Sequence, residues 1–303
     1  MQNTPLRTTR RKKPLNKTEG LLPMTPPILR RLDDLRALRR DWMKKGDTLG
    51  LVPTMGALHA GHLSLVEAAK AACDHVVVTI FVNPKQFNSP EDLANYPRTE
   101  HEDAQKLAPY GVDAIYVPDP DQIYPEGYAT TVSLTGVTDV MEGPNRPGHF
   151  EGVATVVAKL FLQSGADRAF FGEKDYQQLM VVRRMARDLD IPIEVIGCPT
   201  VREASGLAMS SRNMRLSAAA TKTAGQLNPL MEAAATRLRA GEDYAPLEAE
   251  MRAQLSDLGF AEIEYIDLRC AQDLTSLDRL DRPARMFVAA WLDGVRLIDN
   301  IAV

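Results

Sequence analysis

Leu49-Gly50-Leu51-Val52-Pro53-Thr54-Met55-Gly56-Ala57-Leu58-His59-Ala60-Gly61-His62 reads as the first strand-to-helix unit of an open α/β sheet. Residues 49–52 are apolar without alternation, as in a strand covered on both faces, and Leu63, Val66 and Ala69 then recur at helical spacing. The pattern repeats outward. Short apolar runs occupy residues 76–82, 114–117, 169–171 and 193–196, with helical patterns at 61–72, part of 90–110, 152–163 and 173–189. Buried-type strands separated by helices predict a Rossmann-like doubly wound parallel sheet.

Upstream, Ile28, Leu32, Leu35, Leu38 and Trp42 recur at helical spacing, with Gly46 as C-cap. Pro23, Pro26 and Pro27 mark the junction with a basic segment holding Arg7, Arg10, Arg11, Lys12 and Lys13. Residues 1–27 are therefore expected to be a disordered basic tail and 28–200 a nucleotide-binding domain. Beyond residue 200 the pattern changes to helical stretches at 217–240 and 246–258 and strands at 261–268, 286–291 and 295–298. This predicts a smaller C-terminal α+β lid domain over 201–303.

The bulk numbers exclude several classes. A net charge of −4 favours no polyanion, so nucleic acid is not an expected partner. The apolar run 76–82 is far short of the roughly 20 residues that cross a bilayer. Cys73, Cys198 and Cys270 are few, odd in number and widely spaced, which suits a reducing cytoplasm better than a disulfide framework or a thiolate metal site.

Four segments carry polar groups where open α/β sheets bind ligands, past the carboxyl ends of strands. His59 and His62 flank a helix start, where free N–H groups and the helix dipole favour anions; both also suit polar surface positions. Asn83 and Gln86 follow the 76–82 strand and are neutral amides able to orient a hydroxyl or carboxylate, or simply a polar turn. Lys174 stands at the positive end of a helix, an unfavourable place that bound phosphate would relieve, and Gln178 follows it by four residues on the same face. The run 206–213, with Ser210, Ser211 and Arg212, can enclose a polyphosphate but also reads as a polar linker.

His59-Ala60-Gly61-His62 resembles the His-x-Gly-His signature of the nucleotidyltransferase superfamily. Further motifs follow in order: Ile80-Phe81-Val82-Asn83-Pro84-Lys85-Gln86-Phe87, Asn145-Arg146-Pro147-Gly148-His149-Phe150, Phe170-Phe171-Gly172-Glu173-Lys174-Asp175-Tyr176-Gln177-Gln178-Leu179, Met209-Ser210-Ser211-Arg212-Asn213 and Leu297-Ile298-Asp299-Asn300. With them, residues 28–303 resemble the pantoate-β-alanine ligase family.

The resemblance implies ATP-dependent joining of pantoate and β-alanine through a pantoyl-adenylate, releasing pyrophosphate and AMP. Another nucleotidyltransferase using the same histidine motif is the alternative. By the same resemblance, Met55, Gly56, His59, Gly61 and His62 contact ATP, His62 as proton donor and His59 near the phosphates. Gly172, Glu173, Lys174 and Asp175 bind the nucleotide, with Lys174 on phosphate. Val201, Met209, Ser210, Ser211 and Arg212 close over ATP. Gln86 and Gln178 hold pantoate, Asn83 completes that pocket, and Arg146 and His149 lie near it. Mg²⁺ is implied as an accompanying ion, with Glu102 and Asp103 as candidate ligands, and a homodimer is implied as the assembly. Ser205 stands where the family usually has an acidic residue, and Met214-Arg215-Leu216 replaces the more usual Arg-Tyr-Leu.

Overall fold

The computed structural model describes residues 24–303, so the basic run at Arg7 to Lys13 lies outside the described residues. The first part of the chain runs β1 (Ile28–Leu29), α1 (Leu32–Lys45), β2 (Leu49–Thr54), α2 (Ala60–Ala72), β3 (His75–Ile80), α3 (Pro90–Ala94), α4 (Glu100–Leu107), β4 (Ala114–Tyr116), α5 (Pro120–Ile123), α6 (Glu142–Asn145), α7 (His149–Ser164), β5 (Arg168–Gly172), α8 (Tyr176–Asp188) and β6 (Glu194–Cys198). These strands form one parallel sheet in the order β1-β4-β3-β2-β5-β6.

The uninterrupted apolar runs are explained by two cores. Leu49, Leu51 and Val77 pack with Trp42, Phe161 and Val181 on one face of the sheet, while Val52, Val76 and Val78 pack with Leu65, Val66 and Leu107 on the other. Successive side chains of each strand thus meet helices on opposite faces, and neither face needs polar residues.

The remaining chain forms α9 (Ala218–Ala224), α10 (Leu227–Arg239), α11 (Tyr244–Asp257) and an antiparallel sheet of β7 (Glu262–Cys270), β8 (Ala284–Leu292) and β9 (Val295–Ala302), in the order β7-β8-β9. Asp293 and Gly294, both at positive φ, join β8 to β9 directly, as a two-residue hairpin requires. Its core of Leu227, Met231, Leu255, Met286 and Val288 is separate. Phe287 and Leu274 join the core of the first sheet instead, which docks the two sheets together.

Three local expectations change. Ile28 belongs to β1, paired with Ile115 of β4, and the first helix begins only at Leu32. The helical stretch 217–240 is broken between Ala224 and Leu227. Lys174 lies not in an α-helical turn but in a 3₁₀ turn, Glu173–Asp175, just ahead of α8. The Gly46 cap is as expected, left-handed at φ 74° and donating to the carbonyls of the last turn.

One close approach sets the geometry past β3. A Cβ on Gly152 of α7 would strike the Lys85 carbonyl and lie 2.8 Å from the Gln86 nitrogen. Only glycine lets α7 press its backbone against the turn that carries Gln86. Gly152→Ala is expected to lower stability by about 1–3 kcal/mol, the usual cost of forcing extra volume into a packed contact. Urea unfolding measures this, and an unshifted midpoint would mean that the helix can back away freely.

Candidate active site

The strand order reverses at β2: the chain proceeds to β3 and β4 on one side and to β5 and β6 on the other. Ligands bind in the crevice at such a switch point, outside the carboxyl ends of the strands. Here β2 delivers the loop 55–62, β3 delivers Asn83 and Gln86, and β5 delivers the turn 173–175. A cleft of about 960 Å³ opens there, lined among others by Met55, His62, Gln86, Lys174, Asp175, Gln178, Ser210, Ser211 and Arg212.

His59 and His62 cap α2 reciprocally. The His59 ring accepts from the Gly61 amide through Nδ1 at 3.2 Å, and the His62 ring accepts from the His59 amide through Nδ1 at 3.3 Å. Two of the amides left over at the helix start are thereby satisfied. Each Nδ1 acts as an acceptor, so each neutral ring carries its proton on Nε2. The two rings lie 4.1 Å apart between centroids. A side chain at residue 61 would come within 3.0 Å of the His59 ring, which explains the glycine between the histidines.

Burial first, then the charge of neighbouring His59 and the nearby Lys174, pushes the His62 imidazole down to about 3. His59 is lowered chiefly by burial and next by Lys174. Near neutral pH the site therefore presents two uncharged N–H donors.

Behind the loop stands Asp103, fully buried, whose carboxylate accepts from the amides of Ala57 at 2.9 Å and Leu58 at 2.8 Å and from the Thr99 hydroxyl at 3.0 Å. Asp103 thus shapes the loop. Glu102 is exposed and lines a second, smaller cavity. Among the described residues, no three His, Cys, Asp or Glu side chains gather as a metal cage. Asp103 spends its two oxygens on the Ala57 and Leu58 amides and Glu102 faces the second cavity, so this candidate pair offers no Mg²⁺ ligand to the main cleft.

The expected acid-binding residues take different places. Gln86 lines the cleft, its carboxamide fixed by Asn83 Nδ2, which donates to its oxygen at 3.0 Å, and by the Met55 sulfur, which accepts from its nitrogen at 3.0 Å. Asn83 is 1% exposed and stands outside the lining. Its other bonds run to the Gly152 carbonyl and from the Tyr124 hydroxyl and the Lys85 amide, so it is a support for Gln86. His149 donates through Nδ1 to the Gln86 carbonyl at 2.9 Å and accepts from Arg146 at Nε2. Burial, then Arg146, lowers this imidazole to about 4. Both neighbouring glutamines border the cleft, but Gln177 is buried and bonded to Glu142, Val137 and Val140, whereas Gln178 is half-buried beside Lys174.

The 209–212 loop supplies the opposite wall. Met209 donates its amide to Val201 at 3.0 Å, and the Ser210 hydroxyl caps the turn that holds Arg212. The Ser205 hydroxyl accepts from the Leu207 amide, so the departure there serves the turn itself, and Met214 is exposed at the rim. His59 and Met209 line the second cavity, about 400 Å³, together with Ser210 and Ser211. Gly56, Gly61, Gly172, Glu173 and Val201 line neither cavity and belong to the supporting layer.

Sequence reasoning missed the charged network at the cleft's edge. Glu142 is held by Arg296 at 2.6 and 2.8 Å and by the Tyr265 hydroxyl at 2.7 Å, and Arg296 also grips Glu264. Despite burial, which pushes the Glu142 carboxyl up, its bonds to Arg296 and Tyr265 prevail and hold it down to about 2. Its partners are up to 154 residues distant, so no local spacing signals the site.

Residues 27–302 match the model of a family described as pantoate-beta-alanine ligase. The pantothenate synthetase of Ruegeria pomeroyi is 71% identical over 280 residues, spanning 92% of this chain and 98% of that one. That of Roseobacter denitrificans is 62% identical, spanning 92% and 99%. Among solved structures, pantothenate synthetase from Thermus thermophilus matches with a TM-score of 0.85 at 43% identity, covering 91% of this chain and 98% of that chain. A pantoate-beta-alanine ligase from Francisella tularensis, solved in complex with beta-gamma ATP and beta-alanine, matches with a TM-score of 0.78 at 35% identity, covering 91% and 97%.

The depressed histidines make stability depend on pH in a definite direction. Folded His62 and His149 take up protons only near pH 3 and 4, whereas unfolded histidines do so near the ordinary value of 6.5. The unfolded chain binds more protons between those values, so this contribution is complete above about pH 6.5 and lost as pH falls. The thermal midpoint should drop from pH 7 to pH 4, and His62→Asn, which keeps an acceptor for the His59 amide, should flatten the slope. A midpoint that holds or rises on acidification would contradict the assignment.

Proposed function

The chain belongs to the pantoate-beta-alanine ligase family, and on that footing we propose how its cleft performs the ligation. The enzyme joins pantoate and β-alanine at the expense of ATP. The pantoate carboxylate attacks the α-phosphorus, pyrophosphate leaves, and the amine of β-alanine then attacks the acyl carbon of pantoyl-adenylate to release AMP.

The observation that carries this reading is the meeting of phosphate donors and neutral amides in one cleft. His62, Lys174, Ser210, Ser211 and Arg212 line it together with Gln86 and Gln178. A carboxylate is a weak nucleophile approaching another anion, so charge must be stabilised as it develops on the phosphates. A single well-aimed donor contributes roughly 3–4 kcal/mol to such a step. His62, neutral and protonated on Nε2, acts as a hydrogen-bond donor to phosphate rather than as an imidazolium acid, with His59 beside it. Lys174 meets phosphate from the β5 side, and Ser210 to Arg212 close from the other wall, with Met209 and Val201 behind them.

Gln86 and Gln178 orient the pantoate hydroxyls and carboxylate without adding charge, and Asn83 keeps the Gln86 carboxamide turned toward the substrate. Held side by side, amine and adenylate react as neighbours on one surface. The Mg²⁺ that the family resemblance implies would be held by the ATP phosphates and water rather than by an all-protein cage, and would supply neutralisation of phosphate charge. The alternative of another nucleotidyltransferase leaves the Gln86 and Gln178 pair without a role. We place the protein in the cytoplasm, where its three buried free cysteines stay reduced, and take a homodimer as its assembly from the family resemblance.

AMP release requiring ATP, pantoate and β-alanine together is the direct assay. His62→Ala should reduce adenylate formation by roughly 10²- to 10⁴-fold, the range of a positioned donor or acid, with the fold retained by circular dichroism. Wild-type turnover in that variant would remove His62 from the reaction, and no AMP release from the unaltered enzyme would sink the reading as a whole.

A further inference from the structure

We infer that Asp299-Asn300 in β9 is a two-sided positioning clamp, Asn300 fixing the turn that presents Lys174 and Asp299 fixing the base of the 209–212 loop. This rests on the reading of Lys174 and Arg212 as phosphate contacts. Consecutive residues of a strand point to opposite sides, so one dipeptide of the C-terminal sheet can hold both walls of the nucleotide cleft.

On the first side, Asn300 is 3% exposed and its Nδ2 donates to two successive carbonyls, Glu173 at 2.9 Å and Lys174 at 2.8 Å. Pinning two adjacent peptide planes fixes the direction in which Lys174 leaves the backbone. Which end of the amide faces the turn is decided by Arg285, whose Nε donates to Asn300 Oδ1 at 2.7 Å. The same guanidinium reaches the Glu173 carboxylate at 3.2 Å and lies 4.1 Å from the centre of the Tyr176 ring. The 3₁₀ turn, too short to hold its own shape, is thus gripped from the C-terminal sheet on both its main chain and its side chain.

On the second side, Asp299 is 4% exposed and grips Arg202 with both oxygens, at 2.6 and 2.9 Å. Arg202 donates in turn to the Gly206 carbonyl at 3.0 Å and pairs with Ala208 as an antiparallel bridge. The segment 201–209 is therefore a small hairpin anchored at Asp299, and its far end leads directly into Ser210. The Asp299 carboxylate also accepts the Asn300 amide at 2.8 Å, which ties the two halves of the clamp together. Both Asn300 donor bonds go to backbone carbonyls, so it acts through Lys174 and is a positioning residue.

A double-mutant cycle on pantoate-dependent exchange of pyrophosphate into ATP tests this, because a merely structural role would not be absorbed by one particular partner. Asn300→Ala should slow exchange about 10- to 100-fold, the scale of a displacement of about 1 Å at a reacting group. The KM for β-alanine should be unchanged. In a Lys174→Ala background the same substitution should cost less than about 2-fold, since residues acting as a unit are not additive. Asp299→Asn should be absorbed in the same way by Arg212→Ala, and not by Lys174→Ala. Should Asn300→Ala fail to fold, Arg285→Met leaves the amide in place but unoriented and enters the same cycle. Full additivity in these pairs, or wild-type exchange in the single variants, would overturn the clamp. No exchange in the unaltered enzyme would instead count against the ligase reading.

Discussion

The loop between β2 and α2 turns sharply enough to place Ala57 at φ 51°, and it leaves the amides of Ala57 and Leu58 buried without a strand or helix to receive them. The carboxylate of Asp103 takes both. A buried amide without an acceptor costs about 1–3 kcal/mol, and a buried carboxylate without donors costs more, so each half of this arrangement requires the other. Lys106 adds a bond to the Leu58 carbonyl at 2.9 Å. With the loop so held, α2 begins where His59 and His62 can cap it. The site therefore depends on a residue of α4 that never touches the cleft.

The second constraint is the join between the two sheets. Glu142 lies beside the motif that carries Arg146 and His149, while Arg296, Tyr265 and Glu264 come from the antiparallel sheet. The buried Glu142 and the half-buried Glu264 around one guanidinium gain little net energy once desolvation is counted, but removing Arg296 leaves the buried Glu142 carboxylate without its bidentate partner. The interaction fixes the relative placement of the sheets more than their stability. Through Arg146 and His149 it continues to the Gln86 carbonyl, so the same contact that seats the C-terminal sheet also bears on the turn that carries Gln86.

The sheet was legible because its strands are apolar on both faces and separated by helices, a pattern that burial alone imposes. β1 escaped that reading: two residues, Ile28 and Leu29, have no periodicity of their own and pair only because β4 offers an open edge. The placement of His62, Gln86 and Lys174 along the cleft was legible since each follows a strand or opens a helix, whereas Arg212 stands in a run that reads equally as a polar linker. Asn83 and Gln86 could not be told apart, because only the Tyr124 hydroxyl and the Gly152 carbonyl decide that Asn83 points inward. Gln177 and Gln178 both border the cleft, and only the Val137 and Val140 carbonyls and the Glu142 amide decide that Gln177 is the buried one. The roles of Asp103, Glu142 and Asn300 were beyond local spacing, since the Leu58 amide, the Arg296 guanidinium and the Glu173 carbonyl that they engage lie 45, 154 and 127 residues away.

The distribution of charge follows from these constraints. The protein as a whole is negative, by four charges, yet it must admit a polyphosphate and a carboxylate into one cleft. Cationic imidazoles beside Lys174 and Arg212 would attract those anions more strongly but would repel each other in a buried site. Burial resolves the conflict by holding His59 and His62 neutral, which their reciprocal capping makes possible by giving each Nδ1 a donor to accept. What remains are two oriented N–H groups whose direction is set by the helix they cap. Such donors need little rearrangement when charge develops in front of them, and preorganisation of this kind is the largest electrostatic advantage a protein has over water.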